Sequence, residues 1–265
     1  MLHRTRTLAV SILIGLFVMS CGGGGGDGGG TTPTADPTGY YDNRGTASVL
    51  AGAGNTQVAI TDLQGIIHNN RLMMLSATQD LSYDGSITIS GNSYSGTLNV
   101  YFEGTHQGTA PVTGTISQGS SISGALTGTG AGSGSFQLLY AASNSEIAAL
   151  TRVEDMAFPV WGGPIGGSTS GAYEFGVNSA GAIFHETKVG SGVFAYCDMS
   201  GTISPIASTN LYTVNVTLSS NLCDPAVLTA GYTGLATTVS RGATDNILVM
   251  IATNGSYSVA SEFIR

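Results

Sequence analysis

Ser86-Ile87-Thr88-Ile89-Ser90, Gly91-Asn92, and then Thr97-Leu98-Asn99-Val100-Tyr101-Phe102 set out the fold class in one stretch. β-branched and aromatic residues alternate with small polar ones, and a Gly-Asn pair that tolerates positive φ separates the two runs, which is the pattern of two strands and a hairpin. The same grammar recurs in Thr56 to Ile60, Ile66 to Leu75, Val112 to Ile116, Ser121 to Leu126 and Ser135 to Tyr140. It continues in Ala182 to Glu186, Val193 to Cys197, Gly201 to Ser204, Tyr212 to Leu218, Leu235 to Val239, Ile247 to Ala252 and Ser256 to Phe263. Asp84-Gly85, Asn178 to Gly181 and Asn254-Gly255 read as further tight turns. Short strands at a spacing of about 8 to 12 residues predict an all-β chain folded as an antiparallel barrel or sandwich. Only Asn144 to Asp155 reads as helix, with Ser145 as cap and Ile147, Leu150 and Val153 on one face.

Composition agrees with strands. Charged residues are 9% of the chain and hydrophobic residues 42%, with 40 glycines and 11 tyrosines. Long surface helices need Glu, Lys and Arg on their wet face, and this chain has few of them. The balance is acidic, with eight Lys and Arg against 16 Asp and Glu. Lys188 is the single lysine, and no basic cluster exists for a nucleic-acid backbone or an anionic lipid surface.

Two halves share a weak pattern, which raises two similar small β domains. Tyr83, Thr88-Ile89-Ser90, Asn92-x-Tyr94, Thr127-Gly128 and Phe136 to Tyr140 find counterparts in Tyr196, Thr202-Ile203-Ser204, Asn210-x-Tyr212, Thr233-Gly234 and Ile247 to Ile251. The domains then fall at residues 39–145 and 146–265.

The N-terminus has a different character. His3, Arg4 and Arg6 precede an apolar run from Leu8 to Met19, about 12 residues where a membrane-spanning helix needs about 20. Val18-Met19-Ser20-Cys21 closes the run and a glycine-rich stretch follows. This segment resembles the lipobox signal of bacterial lipoproteins. The resemblance implies a signal peptide over residues 1–20, cleavage between Ser20 and Cys21, and a diacylglyceryl group on the Cys21 thiol with a further acyl chain on the new amino terminus. Gly22 stands where an Asp marks inner-membrane retention in that family, so the outer membrane is the expected location. Two or more acyl chains anchor stably where one is reversible. Residues 21–38 carry Gly, Thr and Pro without apolar periodicity, a flexible tether with a reach of roughly 20 to 25 Å.

With Cys21 lipidated, Cys197 and Cys223 remain as an even pair in an oxidising compartment and are expected to form a disulfide. A metal site there would need Asp198 and Asp224 as further ligands. Asp80-x-Ser82-x-Asp84-Gly85 places oxygen ligands at alternate positions before a glycine, as calcium loops begin. Gly91 stands where an EF-hand has its bidentate Glu, so a plain Asp-Gly hairpin is the competing reading. Phe158, Trp161 and Tyr173 are candidates for a pocket mouth, against core packing at a barrel end. Gly162-Gly163-Pro164 would then order the adjoining loop. His68, His106 and His185 have no nucleophile, base or ligand pattern around them, and the chain has neither a Gly-x-Ser-x-Gly elbow nor a phosphate loop.

The expected function is that of a non-enzymatic, cofactor-free outer-membrane lipoprotein. Its β domains would bind an envelope protein or a small hydrophobic ligand within a barrel. A structural or adhesive surface module is the alternative, and a hydrolase with dispersed site residues a third reading. Metabolic labelling with a fatty-acid analogue should mark the wild-type chain and fail to mark Cys21→Ala; an unlabelled wild-type chain would refute the anchor.

Overall fold

Leu211 to Ser219 shows why the chain forms strands that curve around a core. Tyr212, Val214, Val216 and Leu218 are buried while Thr213, Asn215, Thr217 and Ser219 are exposed, the period-two division of a sheet with one wet face. The computed structural model describes residues 34–51, 56–142, 161–165, 173–178, 180–188, 192–220, 222–228, 231–241 and 245–264. Its strands close into two eight-stranded antiparallel barrels.

The first barrel comprises β1 (Gly39–Ala51), β2 (Thr56–His68), β3 (Arg71–Ser76), β4 (Leu81–Ser90), β5 (Ser93–Phe102), β6 (Thr105–Ser117), β7 (Ser121–Thr127) and β8 (Ser133–Tyr140). Each strand pairs with the next, and β1 pairs with β8 to close the ring. The second comprises β9 (Trp161–Gly163), β10 (Tyr173–Val177), β11 (Ala182–Lys188), β12 (Asp198–Pro205), β13 (Leu211–Ser219), β14 (Tyr232–Arg241), β15 (Asp245–Thr253) and β16 (Ser258–Ile264), closed by β9 against β16. The all-β expectation holds, and the choice between sandwich and barrel is decided for two similar barrels.

Several local expectations change. Ile66 to Leu75 is not one strand but two, because Asn69 and Asn70 adopt φ of 48° and 61° and turn β2 into β3. Asn tolerates the left-handed region through local hydrogen bonding, and apolar residues on both sides hid the turn. Val193 to Cys197 is a run of turns, with Tyr196 at φ 60°. Asp84-Gly85 is no hairpin: both residues lie within β4, where Gly85 pairs with Leu72 and Leu98. A Cβ on Gly85 would fall on the Thr97 carbonyl oxygen, so this glycine serves close strand approach. Gly91-Asn92, Asn178 to Gly181 and Asn254-Gly255 are turns as expected, with Gly91, Gly181 and Gly255 at positive φ. The expected helix at Asn144 to Asp155 lies outside the described residues.

The repeat aligns the strands only in part. Thr88-Ile89-Ser90 and Thr202-Ile203-Ser204 lie in the fourth strands of the two barrels, and Tyr94 and Tyr212 in the fifth. Beyond that point the match slips by one strand, pairing the eighth strand of the first barrel with the seventh of the second.

Side chains fill both interiors. Tyr83, Tyr94, Leu98, Val100, Phe136 and Leu138 belong to the first core, and Tyr173, Phe175, Val214, Tyr232, Met250 and Phe263 to the second. A third apolar cluster lies outside both rings and joins them: Tyr40, Ile66, Met73 and Leu75 with Leu211, Leu235, Val239, Ile247, Val249 and Ile251. In β2 and β3 the inward residues Ile67, Leu72 and Met74 therefore alternate with Ile66, Met73 and Leu75, which the second barrel covers.

Tyrosines tie the ends of the barrels from within. The ring fills core and the hydroxyl reaches a backbone carbonyl at the mouth: Tyr41 donates to Pro37, Tyr83 to Ala131, Tyr173 to Phe194 and Tyr232 to Val227. Burial pushes the Tyr41, Tyr83, Tyr94, Tyr173 and Tyr232 phenols well above the ordinary tyrosine range. The folded chain thus holds these protons more tightly than the unfolded chain. The resulting stability is complete below the unfolded value of about 10 and is lost as pH rises beyond it. In an alkaline titration, phenolate absorbance from these five rings should appear together with loss of β-sheet dichroism. Full ionisation near pH 10 with the sheet signal intact would contradict the burial.

Candidate functional site

Asp84 and Ser82 are spent on joining the two barrels. Arg71 donates to both Asp84 carboxylate oxygens, at 2.7 and 2.8 Å, and to the Thr233 carbonyl at 3.0 Å. The Thr253 hydroxyl also donates to Asp84. Ser82 Oγ lies 2.9 Å from Ser258 Oγ. Nearby, Tyr40 donates to Gln64 Oε1 at 2.8 Å and the Gln64 amide donates to Glu262 at 2.7 Å. The residues read as a calcium-loop start therefore serve as inter-barrel contacts. Asp80 stands apart in the β3–β4 turn, at φ 49°, where its carbonyl accepts from Glu103. Among the described residues no group of three or more His, Cys, Asp and Glu could hold a metal ion.

Trp161 and Tyr173 are both fully buried in the second core, Trp161 in β9 and Tyr173 in β10. The structure thus places them as core packing; Phe158 lies outside the described residues. Gly162 and Gly163 complete β9 and are not a loop. Of the histidines, His68 ends β2, His106 in β6 packs at a tilt against Tyr101 with ring centroids 5.6 Å apart, and His185 lies in β11 of the other barrel. They share no site. Cys21 and Ser20 lie outside the described residues.

The cysteine expectation leads to a built feature. Cys197 and Cys223 are joined with their Cα atoms 4.6 Å apart, linking the β11–β12 connection to the β13–β14 connection. Phe194, Cys197, Cys223 and Val227 are buried in the second core, so these connections plug the mouth of the barrel. Asp224 caps the turn that follows, accepting from the Ala226 amide at 2.9 Å. Tyr196 and Leu222, each just before a bridged cysteine, are 52% and 70% exposed.

The other concave features are open. At the end of the first barrel where the chain enters, a cleft of about 430 Å³ is lined by Asp36, Asn69, Asn70, Thr88, Ile67 and Ile89. Hydrogen bonds from the Thr38 side chain and amide hold the Asp36 carboxyl below its usual range, and His68 adds to this. A shallow groove of about 380 Å³ crosses the outside of β1, β2 and β8 beside Thr46, Thr61 and Gln137. Both lie outside the barrel interiors.

Sequence reasoning located the cysteine pair but missed the exposed Tyr196 and Leu222. Their signal was present: a bulky apolar residue beside each cysteine in a segment without sustained alternation. No family model, no curated protein and no solved structure matches this chain.

The bridge closes a span of 26 residues, for which the chain-entropy model gives about 3 kcal/mol. The double variant Cys197→Ser/Cys223→Ser should lower Tm by about 5 to 10 °C. An unchanged Tm would show that the caps hold without the bridge.

Proposed function

We propose that this chain is an outer-membrane-anchored lipoprotein whose two barrels form a non-catalytic binding module for another envelope protein. The lipobox resemblance at Val18 to Cys21 supports the anchor, and a disulfide suits an oxidising compartment. The observation that carries the protein-binding reading is the filling of both barrels by their own side chains. A barrel that stores a small hydrophobic ligand keeps a cavity of several hundred Å³ inside its ring; here tyrosine, phenylalanine and leucine occupy that space. Recognition then falls to the outer surface. The alternative module without a ligand pocket, structural or adhesive, shares this filled core and differs in having no specific partner.

Co-purification of the full-length lipidated protein from membranes, after cross-linking in intact cells, tests the reading. A discrete envelope protein recovered in stoichiometric amount is the expected result. A bound small hydrophobic molecule with no protein would favour the ligand-carrier reading, and a preparation with nothing bound would favour the structural module.

A further inference from the structure

The seams between neighbouring strands are long throughout the first barrel, and two seams of the second are not. The shortest ladder of the first barrel, β2 on β3, still runs from Gln64 opposite Leu75 to His68 opposite Arg71. In the second, β12 and β13 pair from Asp198 opposite Ser219 to Pro205 opposite Tyr212, and β14 and β15 from Thr233 opposite Thr253 to Arg241 opposite Asp245. Among the described residues, β9 meets β16 only where Gly162 faces Ile264. β11 meets β12 only at Ala182 with Thr202 and Ile183 with Gly201, beside the Ile203 amide that donates to the Gly181 carbonyl at 2.7 Å.

Between these two seams lie β9, β10 and β11, and they are well joined to one another. β10 pairs with β11 from Tyr173 to Val177 and with β9 from Tyr173 to Phe175. The local causes of the short seams are in the sequence. β9 reads Trp161-Gly162-Gly163, and glycine weakens a strand through backbone entropy and the lack of a side chain to pack. On the other side, the chain leaving β11 carries Phe194 and Cys197 into the core as the barrel's plug before β12 begins, so the ladder is taken up only at Ile183 and Gly201.

Side chains, more than backbone, hold this panel in the ring. Trp161, Tyr173, Phe175, Val177 and Ile183 are buried in the second core. Phe175 meets Phe263 of β16 edge to face, with ring centroids 4.9 Å apart, and the Tyr173 hydroxyl donates to the Phe194 carbonyl. One group in the panel works against closure: Trp161 Nε1 is buried without a hydrogen-bond partner, a cost that contact with water removes. The rest of the barrel has supports that the panel lacks. β13, β14 and β15 supply Leu211, Leu235, Val239, Ile247, Val249 and Ile251 to the inter-barrel cluster, to which no described residue of β9–β11 belongs. The Cys197–Cys223 bridge fixes the chain just before β12 to the β13–β14 connection.

We propose that β9, β10 and β11 open as one unit while β12–β16 stay in place against the first barrel, a second state of the protein short of unfolding. Once off the core, three short strands have no apolar face left to bury, so their own ladder is lost with the contact. Opening bares the apolar interior and turns β12 and β16 into strand edges, both of which the closed ring withholds. Elements that move in binding are drawn from such low-stability units.

Native-state hydrogen exchange of the full-length protein, read by mass spectrometry across a series of low urea concentrations, tests this. The β10 and β11 amides should exchange together, roughly tenfold or more faster than those of β13–β15, with a shallow dependence on urea where the β13–β15 amides show a steep one. Val249→Ala thins the packing of β15 against the first barrel. It should speed exchange in β13–β15 and leave the β10 and β11 rates unchanged, because that contact persists when the panel opens. Equal protection with equal urea slopes, or acceleration of both sets by Val249→Ala, would show a barrel that unfolds only as a whole and overturn the proposal. Exchange of β10 and β11 at different rates, or at the rate of an unprotected chain, would overturn the single closed unit.

Discussion

Closure of each sheet on itself is the constraint from which the rest of the structure follows. β1 on β8 and β9 on β16 join the ends of each sheet, so each closes on itself. Eight strands enclose an interior just wide enough for side chains, so filling it and sealing its ends become the main tasks of the sequence. Tyrosine performs both, its ring in the core and its hydroxyl on a cap carbonyl. Tight winding also brings strand backbones together: at Gly201, with φ 150°, a Cβ would fall on the Asn215 carbonyl oxygen, and only glycine suits such a place.

Once the rings are closed and filled, binding chemistry is left to outer surfaces, and the barrels use part of theirs on each other. β2, β3 and β15 are apolar on both faces, one inward and one toward the neighbouring barrel. Around this patch Arg71, Asp84, Thr253, Gln64 and Glu262 form polar contacts that are satisfied only in one docking arrangement. Buried charge left unpaired is costly, so the network specifies orientation where apolar contact alone would tolerate sliding.

Much of this was legible in the sequence, and the failures have physical causes. Period-two alternation located β5, β6, β7, β8 and β13 because one side of each faces water over most of its length. It misread Ile66 to Leu75 because both faces are covered, which removes the alternation and conceals the Asn69-Asn70 turn. In hindsight the continuous apolar run was itself the mark of an inter-barrel strand. Asp84-Gly85 misled for another reason: Asp84 is a buried ion-pair partner and Gly85 a point of close strand approach, and both roles depend on residues distant in sequence. The candidate pocket at Trp161 and Tyr173 dissolved into core, as large aromatics in a small barrel usually do.

By itself the sequence determined the all-β class, most of the strands, the pairing of Cys197 with Cys223 and the expectation of a lipid anchor at Cys21. These depend on local periodicity, turn chemistry, a cysteine count and a contiguous motif. Only the tertiary structure decided for two closed barrels with filled interiors, paired Asp84 with Arg71, and covered Ile66, Met73 and Leu75 with the second barrel. Those outcomes follow from which strands meet around a ring and which rings meet each other, and such long-range contacts leave no fixed spacing in the chain.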